Sequence, residues 1–313
     1  MSFSIREEGT NSQKTITLCD EQTGTSAEIF CFGGLLNAFT IQTEGDPINI
    51  VDGFKDVADA KTEMNNGFKS AKLSPFVCRL RAGKYRFEDR DFTIEGFHLS
   101  GHAIHGLLCH AIFELTAQGA DTDKAWVTLT HEYKATDKGY PFPYTIAITW
   151  TLHKNHYLTV TTTVTNLHDG TIPFSDGWHP YFATDTGIDS SMLSFNTNRK
   201  LVFDDELVPT GAEEKDDRFL AGALLDGIQL DNCFVLPSDE QGYCLLKGKK
   251  ISIRIEPDAS YPYLQIYTPP HRKSIAIENL TAAPDAFNNK IGLRYLQAGE
   301  TIACSTGYRI VLL

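Results

Sequence analysis

The chain has 313 residues, 42% of them hydrophobic, which is enough to bury a sizeable core in one large domain or two small ones. Its formal net charge is −12, which argues against nucleic acid and anionic membrane surfaces as partners, because phosphate binding needs clustered Lys and Arg. No apolar run approaches the roughly 20 residues that cross a bilayer, and the polar start lacks the apolar core of a signal peptide, so we expect a soluble, cytoplasmic protein.

Taken in chain order, most segments place hydrophobic residues at every second position, which predicts β-strands. SAEIFCFGG, from residue 26, and AWVTLTHEY, from residue 125, alternate in this way. YTIAITWTLHKNHYLTVTTTVTNL predicts two strands around a polar turn near Lys154 and Asn155. ISIRIEP, from residue 251, places three isoleucines on one face, and TIACSTGYRIVLL predicts a closing strand.

Helical signals are few, and DVADAKTEMNN, from residue 56, predicts only one or two helical turns. No heptad, linker or change of composition marks a second domain. Many strands separated by Gly, Pro, Asn and Asp turns therefore predict an all-β fold. We expect a large antiparallel β-sandwich in which residues 1–313 form a single domain.

The cysteines are odd in number, widely scattered and contain no CxxC pair, which predicts reduced, mostly buried thiols. They are Cys19, Cys31, Cys78, Cys109, Cys233, Cys244 and Cys304.

CRLRAGKYRF, residues 78–87, is a local basic run in an acidic protein. One arginine of such a strand can hold a sugar hydroxyl or a phosphate, and Arg79 is the best candidate. For Arg81, Lys84 and Arg86 a solvated basic hairpin is the favoured interpretation.

FHLSGHAIHGLLCH, residues 97–110, is rich in side chains that ligate metals. A continuous helix is disfavoured here because each of its glycines costs about 1 kcal/mol, and the HExxH pattern is absent. We therefore predict a loop that presents one or two histidines to a polar cleft rather than a metal site. The candidates are His98, His102, His105, Cys109 and His110.

DGWHPYF, residues 176–182, crowds an acid, a histidine and three aromatic rings together. Pro180 favours an extended backbone at His179, and the neighbouring rings can supply apolar walls. A histidine titrates near neutrality and can donate or accept a proton at working pH. The alternative is a histidine that is hydrogen-bonded between two strands.

Two late segments supply polar groups on predicted strands. In SIAIENL, Glu278 lies opposite Ile275 and Ile277 with small neighbours on its own face, which leaves room for a ligand. The alternative is a solvated glutamate on an exposed sheet face. In YLQIYTPP, Gln265 shares a face with two tyrosines, a surface that suits a sugar or an ordinary half-exposed strand.

These segments, in this order, resemble the aldose 1-epimerase (galactose mutarotase) family over roughly residues 25–313. CRLRAG is similar to an arginine segment of that family, which implies that Arg79 binds substrate. HAIHGLL is similar to its Leu-His-Gly-Gly segment, which implies a binding role for His105. Two departures stand out, because Cys78 replaces the usual Asn and Leu107 replaces the second glycine.

The later segments carry further implied roles. GWHPYF resembles the second histidine motif of the family, which implies that His179 is the general acid. IAIENL resembles its glutamate segment, with Asn279 where many members have Pro, and implies that Glu278 is the general base. LDNCFVL and LQIYTPP imply sugar-binding roles for Asp231 and Gln265. To these we add Trp178 as a substrate-binding residue that packs or stacks beside the sugar.

The resemblance implies an isomerase that interconverts the α and β anomers of a hexose by acid–base ring opening. It implies neither a cofactor nor a metal. Because Glu278 must be ionised, we expect a broad activity optimum near neutrality that fails at low pH as Glu278 protonates.

Three alternatives remain open from the sequence. A non-catalytic sugar-binding protein on the same fold would need only one of the two catalytic groups. A hexose-6-phosphate 1-epimerase would need a cationic pocket, for which Arg81, Lys84 and Arg86 are the candidates. A glycosidase would pair Glu278 with a second carboxylate, that of Asp176 or Asp231.

Overall fold

The computed structural model describes residues 2–313, which form mostly β-strands. The first ten strands are β1 (Phe3–Glu8), β2 (Thr15–Asp20), β3 (Thr25–Phe30), β4 (Leu36–Ile41), β5 (Ile48–Asn49), β6 (Ala71–Leu73), β7 (Arg79–Leu80), β8 (Lys84–Phe87), β9 (Arg90–Thr93) and β10 (His98–Leu99). The next ten are β11 (His102–Ile104), β12 (Glu114–Ala120), β13 (Lys124–Tyr133), β14 (Tyr144–His153), β15 (Tyr157–Asn166), β16 (Ile172–Phe174), β17 (Gly177–His179), β18 (Tyr181–Phe182), β19 (Met192–Phe195) and β20 (Arg199–Phe203).

The remaining strands are β21 (Pro209–Lys215), β22 (Ala223–Leu224), β23 (Asp231–Val235), β24 (Cys244–Lys247), β25 (Ile251–Pro257), β26 (Tyr263–Tyr267), β27 (Ile275–Leu280), β28 (Arg294–Leu296) and β29 (Thr301–Leu312). The helices are α1 (Val57–Glu63) and α2 (Ala286–Asn289), and single 3₁₀ turns occur at Asn11–Gln13, Arg81–Gly83, Ile188–Ser190 and Asp217–Phe219.

A nine-stranded antiparallel sheet in the order β12-β13-β14-β15-β29-β25-β24-β19-β22 forms one layer of the fold. Buried and part-exposed residues alternate along its long strands β14 and β15, as the period of two predicts. The turn between these strands contains Asn155 and His156 with φ of 62° and 52°, the left-handed backbone of many tight hairpins. The predicted strands over residues 251–257 and 301–312 both lie in this sheet.

An eight-stranded antiparallel sheet forms the second layer, in the order β21-β20-β23-β26-β27-β17-β6, with β18 paired to β27. Its inner face packs on the nine-stranded sheet through aromatic contacts. The rings of Trp150 and Trp178 lie 5.3 Å apart, and those of Phe182 and Tyr308 lie 5.2 Å apart. These contacts confirm the predicted large antiparallel β-sandwich, whose core lies between the two sheets.

Smaller elements complete the fold. A five-stranded sheet, β1 to β5, packs through β2 on β13 and β14. A three-stranded sheet, β10-β11-β7, lies beside the eight-stranded sheet and positions loops at its outer face. The short helix predicted from residue 56 is α1, which begins after Asp56, whose side chain accepts a hydrogen bond from the Asp59 amide at 2.9 Å.

All seven cysteines are buried free thiols within residues 2–313, as predicted. In the same residues no helix has the length and apolar character to cross a bilayer.

Candidate active site

Four polar residues form a row across the outer face of the eight-stranded sheet because of strand register. β26 and β27 pair Gln265 with Glu278. β17 and β18 pair Gly177 with Leu280 and Tyr181 with Ala276, a register that sets His179 opposite Glu278. On the other side, β23 places Asp231 diagonally from Gln265, whose Nε2 donates to Asp231 Oδ1 at 2.7 Å. Neighbours on one face of a sheet lie within contact distance, so this register assembles the site.

Two loops from the three-stranded sheet close over this row. The pairing of Arg79 with Ile104 brings the segment at residue 78 beside the segment at residue 105, and the His105 amide donates to the Cys78 carbonyl at 2.9 Å. Cys78 and His105 both have positive φ, 49° and 61°, and such backbone strain often accompanies functional sites. Gly106 follows with φ of 75°, and a Cβ there would overlap the Ser74 carbonyl, so only glycine fits this turn.

The resulting cleft has a volume of about 450 Å³, within the range of small-molecule sites. Six of the seven residues predicted to act in catalysis or substrate binding line it: Arg79, His105, His179, Asp231, Gln265 and Glu278. Glu278 is only 2% exposed, so the interpretation of a solvated glutamate on an open sheet face is wrong. The structure thus brings together residues that are far apart in the sequence.

Trp178 is the predicted substrate-binding residue that lies outside the cleft. It is 2% exposed and packs between the two sheets against Trp150 and Lys72, whose Nζ lies 4.1 Å from the centre of its ring. Successive residues of a strand point to opposite faces, so His179 in the cleft requires Trp178 in the core. Stacking of Trp178 on a sugar is therefore excluded by this geometry.

The carboxyl group of Glu278 has close contacts at both oxygens. Its Oε1 lies 3.3 Å from His179 Nε2, and its Oε2 lies 3.8 Å from Cys78 Sγ. Burial raises the pKa of Glu278 well above its ordinary value, with the nearby Asp231 charge acting in the same direction. Burial lowers the pKa of His179 to about 4. Both shifts favour the neutral forms, which is the pattern expected of an acid–base site shielded from water.

Several polar atoms in the cleft are buried without a hydrogen-bond partner among residues 2–313. They are His105 Nδ1, His179 Nδ1 and Gln265 Oε1. The ring of His105 packs edge-on against that of His179, with 4.8 Å between centroids. Burial lowers the pKa of His105 well below its usual range, and the neighbouring His179 and Arg79 act in the same direction, so the neutral imidazole is favoured. Unused donors and acceptors of this kind suit the hydroxyl groups of a sugar.

The other histidines of residues 97–110 do not join the cleft. His98 Nε2 lies 3.0 Å from the Ile94 carbonyl oxygen, and His110 Nε2 lies 2.8 Å from Asn65 Oδ1. His102 Nδ1 accepts a hydrogen bond from the Ala82 amide at 3.2 Å. His105 is thus the histidine of this segment that lines the cleft, in a loop between strands as the glycines predict.

The basic residues of segment 78–87 are also divided between the cleft and the surface. Arg79 lines the cleft, whereas Arg81 is ion-paired with Asp204 and Glu206. Arg86 is exposed and pairs with acidic residues of its own hairpin. Within residues 2–313, Arg79 is the one member of the run that lines the cleft.

Sequence reasoning missed two features of the cleft. Cys78 appears in the sequence only as a departure from a family motif, yet its sulfur contacts Glu278. The loop at residues 65–68 supplies a wall through Phe68, whose ring lies 4.6 Å from that of His105. No periodicity or motif in the sequence marks that loop.

The sequence pattern of the Aldose 1-epimerase family matches residues 14–309. The chain belongs to the aldose 1-epimerase family. A curated relative, the uncharacterized Escherichia coli protein YihR, is 24% identical over 235 residues, which cover 73% of this chain and 74% of the relative.

Solved structures share the aldose 1-epimerase family fold. A galactose mutarotase-like protein from Clostridium acetobutylicum is 20% identical with a TM-score of 0.86, and the match covers 100% of this chain and 99% of that one. The galactose 1-epimerase of Lactobacillus acidophilus NCFM is 16% identical with a TM-score of 0.83, and the match covers 99% of this chain and 98% of that one. At such identities the likeness establishes the fold, and the activity is argued from the site.

Proposed function

We propose that this protein is an aldose 1-epimerase that interconverts the α and β anomers of a free hexose. The observation that carries the proposal is the 3.3 Å contact between Glu278 and His179 on the floor of a cleft of about 450 Å³. A carboxyl and an imidazole at this distance can reach two oxygens of one sugar ring. Membership of the aldose 1-epimerase family and the fold shared with a galactose 1-epimerase support the same conclusion.

In the proposed reaction, Glu278 removes the proton of the C1 hydroxyl while His179 protonates the ring oxygen O5. The C1–O5 bond breaks, its electron pair stays on O5, and the open-chain aldehyde forms. Rotation about C1–C2 exposes the opposite carbonyl face. Closure by the same steps in reverse gives the other anomer, so the two residues exchange roles and the enzyme ends as it began.

The shifted pKa values fit this exchange. The pKa of Glu278 is raised and that of His179 is lowered to about 4, so the favoured form of the pair is a protonated carboxyl beside a neutral imidazole, with one proton between them. That proton can lie on the carboxyl or on the imidazole. One proton on two groups supplies both the acid and the base that the reaction needs.

Four further residues are proposed to orient the sugar. Gln265 already donates through Nε2 to Asp231, which leaves its buried Oε1 free to accept from a hydroxyl. Arg79 supplies a cation that donates hydrogen bonds, and neutral His105 offers its Nδ1. These groups, on three strands and one loop, surround the pair and suit a polyhydroxylated ring.

The alternatives are less well supported by the contacts. The phosphate of a hexose 6-phosphate would call on Arg81, Lys84 and Arg86, none of which lines the cleft formed by the described residues. Arg81 and Arg86 are also held by carboxylates. A glycosidase pairing Glu278 with Asp176 is disfavoured, because Asp176 lies inside the sandwich in an ion pair with Lys72. Asp231 lines the same cleft as Glu278, and the aryl glycoside assay below tests that pairing.

The test is the approach of freshly dissolved α-D-glucose and α-D-galactose to anomeric equilibrium, followed by polarimetry or proton NMR. We expect wild-type protein to accelerate it, and His179→Ala and Glu278→Gln each to lose at least about 100-fold in rate. The exposed Glu132→Gln and His271→Ala are matched controls that should keep full activity. If the protein binds the sugar without accelerating the exchange, it is a sugar-binding protein and not an epimerase. Release of an aryl alcohol from an aryl glycoside would identify a glycosidase.

A further inference from the structure

Three side chains of different chemistry converge at one point in the cleft. A ligand atom from each of Cys78, His105 and Glu278 lies within 4.8 Å of those of the other two, and all three residues are buried. A sulfur, an imidazole nitrogen and a carboxylate oxygen together form a donor set that suits zinc and its analogues. This set differs from the histidine-rich run at residues 97–110, of which it uses only His105.

These donors are not committed to other protein partners. Among the side-chain hydrogen bonds and ion pairs of residues 2–313, Cys78 Sγ contacts only Glu278, and the Glu278 carboxyl contacts only Cys78 and His179. His105 Nδ1 is buried and has no partner at all in the same residues. A buried imidazole nitrogen without a partner is costly unless a ligand engages it.

The distances are close to those of a coordinated ion. Zn–S bonds of about 2.3 Å and Zn–N or Zn–O bonds of about 2.0–2.2 Å in tetrahedral geometry set ligand atoms roughly 3.3–3.7 Å apart. Cys78 Sγ and Glu278 Oε2 are already 3.8 Å apart, so the set needs only small side-chain movements to close. Three protein ligands leave a fourth position that faces the cleft.

We propose that Cys78, His105 and Glu278 form a binding site for a thiophilic divalent cation, such as Zn²⁺, that occupies the sugar cleft. On binding, the cation displaces the thiol proton and any proton on the carboxyl to solvent. The resulting thiolate and carboxylate together neutralise its two positive charges. The cation thereby removes Glu278 from acid–base work and blocks the space of a sugar.

The site depends on Cys78, where the resemblance predicts an asparagine. An amide cannot supply a thiolate, so an asparagine at this position leaves only two ligands. Binding of the cation is independent of the proposed epimerase function. Competition between cation and sugar, in contrast, rests on that function.

The experiment titrates metal-free full-length protein with Co²⁺, which reports its ligands by absorption. We expect a near-ultraviolet thiolate-to-cobalt charge-transfer band and visible bands of a four-coordinate ion. Cys78→Asn should lose the charge-transfer band and weaken binding by at least about 100-fold, since loss of outer-shell partners alone costs 10–100-fold. Cys244→Ala, which removes a buried thiol of β24 in the other sheet, should leave the band unchanged.

A second variant, His105→Asn, keeps the thiol and should weaken Co²⁺ binding with the charge-transfer band shifted. Circular dichroism of both variants without metal checks that they are folded. Zn²⁺ should displace Co²⁺ and abolish the bands. The proposal is overturned if wild-type protein gives no charge-transfer band, or if the band persists in Cys78→Asn.

Sugar binding is measured separately, by calorimetry with glucose and galactose in the presence and absence of Zn²⁺. Loss of sugar binding with Zn²⁺ supports the competition. Simultaneous binding of Zn²⁺ and sugar would refute the proposal that the cation blocks the cleft. Protein that binds Co²⁺ through Cys78 but fails to accelerate anomer exchange would overturn the proposed function and leave the metal site intact.

Discussion

Two buried acid–base pairs lie on opposite faces of the sheet around β17. Asp176, directly before the strand, pairs with Lys72 on the inner face, and His179, at its end, pairs with Glu278 on the outer face. On the inner face, Lys72 donates to Asp176 at 2.5 Å and to Thr162 at 3.0 Å, and Tyr261 donates to the same Asp176 oxygen at 2.8 Å. On the outer face, His179 and Glu278 lie 3.3 Å apart at the wall of an accessible cleft. Protein donors hold Asp176 Oδ2, although Asp176 Oδ1 is buried without a partner within residues 2–313, whereas the outer pair faces a cleft that can take a ligand.

Burial shifts the pKa values of both pairs toward the neutral forms. The two pairs differ in how strongly other interactions oppose that shift. Burial raises the pKa of Asp176 and lowers that of Lys72, while their mutual attraction and hydrogen bonds oppose both shifts. Around Glu278, Asp231 adds a like charge that reinforces the shift, and the hydrogen bond from Cys78 only partly opposes it. A buried pair whose charge is held by protein groups is structural, whereas a buried pair that faces a cleft can act chemically.

Removing one partner of the inner pair should have the largest effect on stability. We expect Lys72→Met to lower the free energy of unfolding by about 3–5 kcal/mol, because it leaves Asp176 as an uncompensated buried charge. The double change Lys72→Met with Asp176→Leu should recover most of this loss. Urea denaturation followed by tryptophan fluorescence measures both, and a single-variant cost below about 1 kcal/mol would contradict the structural role.

The same kind of change on the outer face should affect activity and spare the fold. We expect Glu278→Gln to lose at least about 100-fold in rate, equivalent to about 2.7 kcal/mol. Its free energy of unfolding should stay within about 1 kcal/mol of wild type or rise, since a neutral amide replaces a buried acid of the same shape. Parallel urea denaturation and polarimetry make the measurement. If this variant instead unfolds as readily as Lys72→Met, the two pairs are alike.

The smallest expected effect is the change of kcat/KM with each pH unit, which should report the titration of His179 and Glu278. As the pH falls through about 4, His179 takes up a proton and the pair carries two, so it loses its base. We therefore expect kcat/KM to fall about tenfold per pH unit below that value. As the pH rises past the raised pKa of Glu278, the pair loses its last proton and its acid, giving an alkaline limb.

This profile shifts an assignment made from the sequence, which attributed the low-pH loss to protonation of Glu278. Burial raises the pKa of Glu278, so its titration belongs to the alkaline limb, and that of His179 belongs to the acid limb. Polarimetry across the pH range, with circular dichroism to verify folding, provides the check. A rate that keeps rising below pH 4 would refute the pair as the catalytic groups.

Most of the site could be predicted, and its gaps have physical causes. The resemblance identified residues such as Arg79 and Asp231 that line the cleft. Their roles stay predictions, as does the assignment of residues 1–313 to one domain. The metal-ligand geometry of Cys78 could not be foreseen, because it depends on two loops with left-handed backbone meeting the floor of the cleft.

Alternation along the chain predicts the strands and the side chains that share a face, because it is a local property of an extended backbone. It thereby separated Glu278 from Ile275 and Ile277. Only the tertiary structure decided which face became core and which became cleft, and that His179 lies opposite Glu278. Register between strands distant in the chain is fixed by packing of the two sheets, which no local pattern encodes.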